Sequence, residues 1–180
     1  EVQVELDSVR DLLAAVQADI AEIEGEISAL EKDQAAVEAA IRAAQSSGGE
    51  NPGILSWPVN ASVSSPFGYR IHPISGVRKL HTGVDLNASS GTTIKAAGSG
   101  VVILASWYGG YGNAVVIDHG GGLSTLYAHQ SSIAVSVGQS LIVGDTVGYV
   151  GTTGYSTGPH LHFETREWGT PVNPMGYLSG

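Results

Sequence analysis

The 180 residues suffice for one ordinary domain plus an appendage, and the absence of cysteine excludes disulfides, zinc-thiolate sites and thiol catalysis. Charge is unevenly placed within the net −9: residues 1–50 hold twelve acidic and three basic side chains, whereas residues 51–180 hold five of each and offer no basic patch for nucleic acid. No apolar run approaches the roughly 20 residues that span a bilayer, and no signal-peptide pattern is present.

The chain begins inside a helical pattern without a methionine, so we expect a fragment of a longer protein, with any targeting segment cut away. Apolar residues recur at Val2, Leu6, Val9, Leu13, Val16, Ile20, Ile23, Ile27, Leu30, Val37 and Ile41, with Gln34 filling the gap. Steps alternating between three and four make a heptad seam, which predicts a coiled-coil helix over residues 1–45. Gly25 falls on the outer face, where it weakens the helix without breaking the seam. Glu5, Asp19, Glu24, Glu26, Glu31, Asp33 and Glu38 flank the seam against Arg10, so a symmetric pair would oppose like charges. The expected partner is a different helix, most simply an upstream one folded back as a hairpin; a merely solvated acidic face is the plain alternative.

Residues 46–53 read as a linker, because Gly48-Gly49 and Pro52 follow the last periodic residue. Only Gly25 precedes that boundary among the 25 glycines, so composition changes where charge does. From 54 to 180 the pattern is short β-rich runs separated by glycine. Strands are expected at Val101–Ser106, Ala114–Asp118, Leu123–His129, Thr146–Val150 and His160–Thr165, with shorter ones near Ile54 and Val84. The fold class is mainly β: an antiparallel β domain behind a long coiled-coil α-helix.

His81-Thr-Gly-Val-Asp85 places an imidazole and a carboxylate roughly 13 Å apart if the strand is straight, so Thr82-Gly83 must bend the chain for them to share a ligand. His129 closes an apolar strand, where a histidine is more often a surface residue than a catalytic one. His72 and His119 read as loop residues. In His160-Leu-His162-Phe-Glu164, side chains at i and i+2 of a strand leave one face, so the two imidazoles converge. Such a pair can bind a metal, move protons, or do one of each; alone, it is more often two surface histidines. Glu164 could orient either ring, but an exposed strand carboxylate is the plainer expectation.

Together, Ser65-Pro-Phe-Gly-Tyr-Arg70-Ile-His-Pro73, His81-x-Gly-x-Asp85, Tyr127-Ala-His129, Gly138-Gln139 and Gly151-x-x-Gly154-x-Ser-x-Gly-Pro-His160-Leu-His162-Phe-Glu164 resemble the lysostaphin-type (LytM-like) zinc endopeptidases that cut bacterial peptidoglycan. The resemblance covers most of residues 58–175. It implies that His81, Asp85 and His162 ligate Zn²⁺, and that His129 and His160 are unligated catalytic histidines beside it. It further implies peptidoglycan peptides as substrate, in cross-links or stems, and an extracytoplasmic location in periplasm, cell wall or medium. Such domains often follow regulatory coiled coils.

Two imidazoles and a carboxylate leave zinc an open position for water, the arrangement of hydrolytic sites. The rival expectation is a regulatory LytM-like module that binds cell wall or activates another hydrolase; the intact His129 and His160 count against it. Val135–Gly148 also resembles the strands of lipoyl or biotinyl carriers, yet Lys95 lacks the hairpin-tip setting those modules need.

Overall fold

The computed structural model describes residues 2–45, 51–71 and 78–179; residues 46–50 of the expected linker and His72 lie outside them. Helix α1 (Val2–Ala44) is followed by twelve strands: β1 (Val63–Ser65), β2 (Gly68–Ile71), β3 (Arg78–His81), β4 (Val84–Leu86), β5 (Thr93–Lys95), β6 (Gly100–Trp107), β7 (Asn113–Gly120), β8 (Leu123–Ile133), β9 (Ser140–Leu141), β10 (Thr146–Val150), β11 (Leu161–Glu167) and β12 (Thr170–Val172). No helix among the described residues is long and apolar enough to cross a membrane.

Ten strands form one antiparallel sheet, whose main path runs β1-β4-β11-β8-β7-β6-β9. Strand β10 pairs with β8 and β5, β12 with β11, and β2–β3 is a separate hairpin. Alternation along the central strands assigns two buried faces. Val115, Ile117, Tyr127 and Phe163 enter the main core with Leu86, Ile94 and Leu161. Ala114, Val116, Leu126 and Ala128 face the other way and, with Leu104, receive Val37 and Ile41 of α1.

The seam of α1 thus meets a sheet at its C-terminal end. Val37 and Ile41 are fully buried there, whereas Leu6, Val9, Leu13, Val16 and Ile20 are exposed. Polar tethers reinforce the docking: Asp33 Oδ2 accepts from the Gly110 N–H at 2.8 Å, Arg42 Nε donates to the Trp168 carbonyl at 2.9 Å, and Gln45 Nε2 to that of Gly122 at 2.9 Å.

Strands β6, β7 and β8 run beyond the expected limits, β10 matches them, and β11 starts at Leu161 and runs to Glu167, with His160 in an isolated bridge to Gly151; the region near Ile54 contributes only an isolated bridge between Leu55 and Leu178. Strand β8 does not end at His129 but runs on to Ile133. His119 is a core residue of β7: Nδ1 donates to the Ser99 carbonyl at 2.8 Å, and Nε2 lies 2.8 Å from Thr125 Oγ1. The loop expectation fails because the strand extends two residues past Asp118 before the glycine turn.

Candidate metal centre

His81 is the last residue of β3, and Thr82-Gly83 turns the chain directly into β4. A Cβ on Gly83 would lie 2.3 Å from the Phe163 carbonyl oxygen, so only glycine fits where this turn crosses β11. Asp85 is the cross-strand partner of His162, which also pairs with Ala128 of β8. The bend required by the His81–Asp85 spacing therefore exists, and it brings three elements to one point. His81 Nε2 lies 3.1 Å from Asp85 Oδ1 and 3.2 Å from His162 Nδ1, and His162 Nδ1 lies 2.8 Å from Asp85 Oδ1.

The outer nitrogens of these rings define what the inner ones can be. His81 Nδ1 lies 2.8 Å from the Pro66 carbonyl, which can only accept, so that nitrogen carries the proton. His162 Nε2 lies 3.0 Å from a carboxylate oxygen of Glu164 and is protonated for the same reason. In the neutral rings, His81 Nε2 and His162 Nδ1 are lone pairs facing each other and the Asp85 carboxylate. Three acceptors that close are satisfied by a shared proton or by a cation between them. A tetrahedral zinc with bonds of about 2.0–2.1 Å spaces its donors by about 3.3 Å, close to this triangle. The residues present fit a metal ion, and these three form the metal-competent cluster among the described residues.

The charges agree. Burial would raise the Asp85 pKa, but the protonated forms of His162 and His81, which donate to it from those same inner nitrogens, hold its carboxyl well below the usual range. Burial disfavours a charged His162, yet bonds to Asp85 and Glu164 overcome this and raise its pKa to about 9. The site attracts positive charge.

His129 reaches this point through a β-bulge. Asn113 pairs with Gln130 and Val115 with Tyr127, so Ala128 and His129 together oppose Ala114. His129 takes a φ of 59°, unusual for a non-glycine residue and common at functional sites. Its Nδ1 donates to the Thr153 carbonyl at 2.8 Å, leaving Nε2 as acceptor. Burial and the neighbouring His162 depress its pKa to about 4, so the ring is neutral near pH 7. His160 Nδ1 donates to the Gly158 carbonyl at 2.9 Å, and its Nε2 lies 3.7 Å from Asp85 Oδ1. The His129 and His160 rings stand 4.8 Å apart. Structure brings together all five residues singled out in the sequence.

Glu164 departs from expectation: it is fully buried, not an exposed strand carboxylate. It accepts from His162 Nε2, from Thr82 Oγ1, from the Tyr111 hydroxyl at 3.0 Å and from Arg166 Nε at 2.6 Å. Burial would raise its pKa, but the Arg166 guanidinium and then His162 lower it to about 2. Arg166 Nη2 also donates to the Tyr111 hydroxyl at 3.1 Å. Glu164 therefore fixes the ring of His162 with Nδ1 towards the cluster. Sequence reasoning missed Arg166 and Tyr111; continuing the alternation His160, His162, Glu164 by one step would have found the arginine.

The cluster opens into a cleft of roughly 390 Å³. His129, His160, Tyr111 and Tyr155 line it, but so do Leu30 and Gln34 of α1. The Tyr155 hydroxyl also donates to Glu26 of the helix. Helix α1 is thus one wall of the cleft.

The sequence pattern of Peptidase family M23 matches residues 79–174, from the strand that delivers His81 to beyond β12. The chain belongs to peptidase family M23. The DD-carboxypeptidase/endopeptidase Mpg of Neisseria meningitidis is 48% identical over 134 residues, covering 74% of this chain and 30% of that protein. The murein hydrolase activator EnvC of Escherichia coli is 35% identical over 141 residues, 78% of this chain and 33% of that protein. The M23 chain therefore spans about a third of the length of these curated relatives. A crystal structure of a putative peptidase M23 from Pseudomonas aeruginosa superposes with a TM-score of 0.69 at 35% identity, covering 83% of this chain and 60% of that one.

Proposed function

We propose that this M23 chain is a zinc-dependent endopeptidase that hydrolyses peptide bonds in the cross-links or stem peptides of bacterial peptidoglycan, outside the cytoplasm, and that α1 restrains it. The observation that carries the reading is the convergence of four imidazoles, each with its outer N–H committed to an acceptor, around the Asp85 carboxylate. His81 Nε2, Asp85 Oδ1 and His162 Nδ1 would hold the ion. Bound there, zinc would supply a water of pKa near 7 and polarise the scissile carbonyl.

The chain's own groups provide the proton movements. His129 Nε2 and His160 Nε2 are acceptors while the rings are neutral; one can take a proton from the attacking water, and the protonated ring can pass it to the leaving amine. Carbonyls of Thr153 and Gly158 hold both rings in the tautomer that leaves Nε2 free. Which ring does which step is open to mutagenesis. Leu30 supplies an apolar part of the cleft wall.

The seam residues Leu6 to Ile20 remain for a helical partner, from an upstream segment or another protein. A partner that extends down the seam as far as Leu30 would compete with the cleft wall for that side chain, which would couple binding to opening.

The similarity to EnvC favours a second reading, a module that activates another hydrolase. Digestion of purified peptidoglycan by the full chain separates the two, with zinc, with chelator, and beside Asp85→Ala, analysing released muropeptides by mass spectrometry. Chelator-sensitive peptide cleavage lost in Asp85→Ala supports the enzyme. Zinc uptake without cleavage, even after α1 is released, supports the activator.

A further inference from the structure

Arg70 of β2 and Lys79 of β3 are direct cross-strand partners, and both line the cleft that contains the histidine cluster. Three of the five cations in residues 51–180 sit on this one hairpin, so its charge is concentrated. The third, Arg78, stacks its guanidinium 4.5 Å over the Tyr69 ring. Arg70 is held differently: Nη1 donates to Ser65 Oγ at 3.0 Å, and Ser65 Oγ lies 3.5 Å from His81 Nδ1. One serine thus spaces the guanidinium from a proposed metal ligand.

Lys79 is half-buried beside this like charge. Its side chain shares a second pocket with Glu31 and Glu38 of α1. Among the described residues neither cation has a carboxylate within 4 Å. Two adjacent cations, one partly desolvated, repel each other until an anion bridges them. A carboxylate does this well, because its two oxygens accept from a guanidinium and an ammonium at once.

We propose that Arg70 and Lys79 form an anion subsite that receives a carboxylate on the substrate residue flanking the scissile amide. The preferred substrate is then a stem peptide with a free carboxylate beside the bond, not an uncharged glycine bridge. Glu31 of α1 lines one pocket with the same lysine, and Leu30 and Gln34 line the cleft, so the docked helix competes with that carboxylate. The proposal rests on the peptidase reading above.

The test uses the full zinc-loaded chain and two cross-linked stem dimers. In one, the cross-linking residue carries a free carboxylate α to the scissile amide nitrogen; in the other, that carboxylate is amidated. The quantity read is the ratio of kcat/KM for the pair. A charge-assisted contact predicts at least about a tenfold preference for the free acid, falling towards unity in Arg70→Gln and in Lys79→Gln. Equal rates in the unsubstituted chain, or a preference that survives both substitutions, overturn the subsite. So does an equal rise on both dimers in the variants, which would assign the cations to docking α1. Cleavage of neither dimer, in the full chain or in Ile41→Ala, refutes the peptidase reading instead. Binding of the same pair to the zinc-loaded chain then decides the subsite, by the same tenfold preference and its loss in Arg70→Gln; equal binding overturns it.

Discussion

Replacing Ile41 by alanine should release α1 from the sheet and raise the rate of peptidoglycan digestion. Ile41 and Val37 are both buried against Leu104, Ala114, Val116, Leu126 and Ala128. At about 1.5–3 kcal/mol for each buried aliphatic side chain, the apolar part of docking is about 3–6 kcal/mol. The tethers through Asp33, Arg42 and Gln45 add about 0.5–1.5 kcal/mol each. Ile41→Ala removes about 2–5 kcal/mol, the usual cost of truncating a buried isoleucine. At about 1.4 kcal/mol per factor of ten, the docked-to-free ratio falls by about 30-fold to several thousandfold. Hydrogen exchange of amides 26–44 reports release, and mass spectrometry of released muropeptides reports rate. Val9→Ser, on the exposed part of the seam, should change neither. If amides 26–44 lose protection in Ile41→Ala while digestion stays at its original rate, α1 does not restrain the site.

Ligand and proton-transfer residues should separate on metal content. His81→Ala and Asp85→Ala should lose zinc and activity together, whereas His129→Ala and His160→Ala should keep zinc and lose about 10²–10⁴ in turnover; a folded His129→Ala chain with full activity would remove that ring from the mechanism. Glu164→Gln should weaken zinc binding by about 10–100-fold, read by competition with a chromogenic chelator. It should also lower stability by about 3–5 kcal/mol, because Arg166 is left charged and buried; unchanged zinc affinity would deny Glu164 its positioning role. His119 sets a pH dependence: burial lowers its pKa, against the Ser99 carbonyl and Asp118, which raise it. The unfolded chain then takes up a proton first on acidification. Its stability contribution is complete above about pH 6.5 and lost as pH falls towards the lower folded-state value. His119→Gln should flatten that part of the unfolding-midpoint profile, and an unaltered slope would count against the assignment.

What could be read in the sequence follows from what a local pattern encodes. The alternation His160-x-His162 fixes a shared face whatever the strand pairs with, so their convergence was legible. The bend at Thr82-Gly83 was demanded by distance alone. His129 was legible as a site residue only through the family resemblance and not from its own strand, because its approach depends on a bulge created by pairing with β7 at Asn113 and Val115. A strand read by itself has no register. Glu164 was misjudged because period-two alternation distinguishes two faces but not which is wet; here Tyr111 and Thr82 come from distant elements to cover it. Strands β1, β2, β3, β5, β9 and β12 have two to four residues each, too few for a period to register.

The seam of α1 shows the same limit in a helix. Steps of three and four state that one stripe needs an apolar partner, and they say nothing of its shape. From Val37 to Ile41 the partner is a sheet, because small Ala114 and Ala128 between Leu104, Val116 and Leu126 leave a surface a helix can lie on. Between Leu6 and Ile20 nothing among the described residues covers the stripe. Leu30 and Gln34 lie between these regions, at the cleft. A helix of about 1.5 Å per residue places Ile20 roughly 15 Å along the axis from Leu30. Force or binding energy applied to the free end therefore reaches the cleft wall within three turns, through hydrogen bonds internal to the helix. A stiff rod of this kind, held at one end by two aliphatic side chains, can transmit an event on the exposed seam to the site without any rearrangement of the sheet.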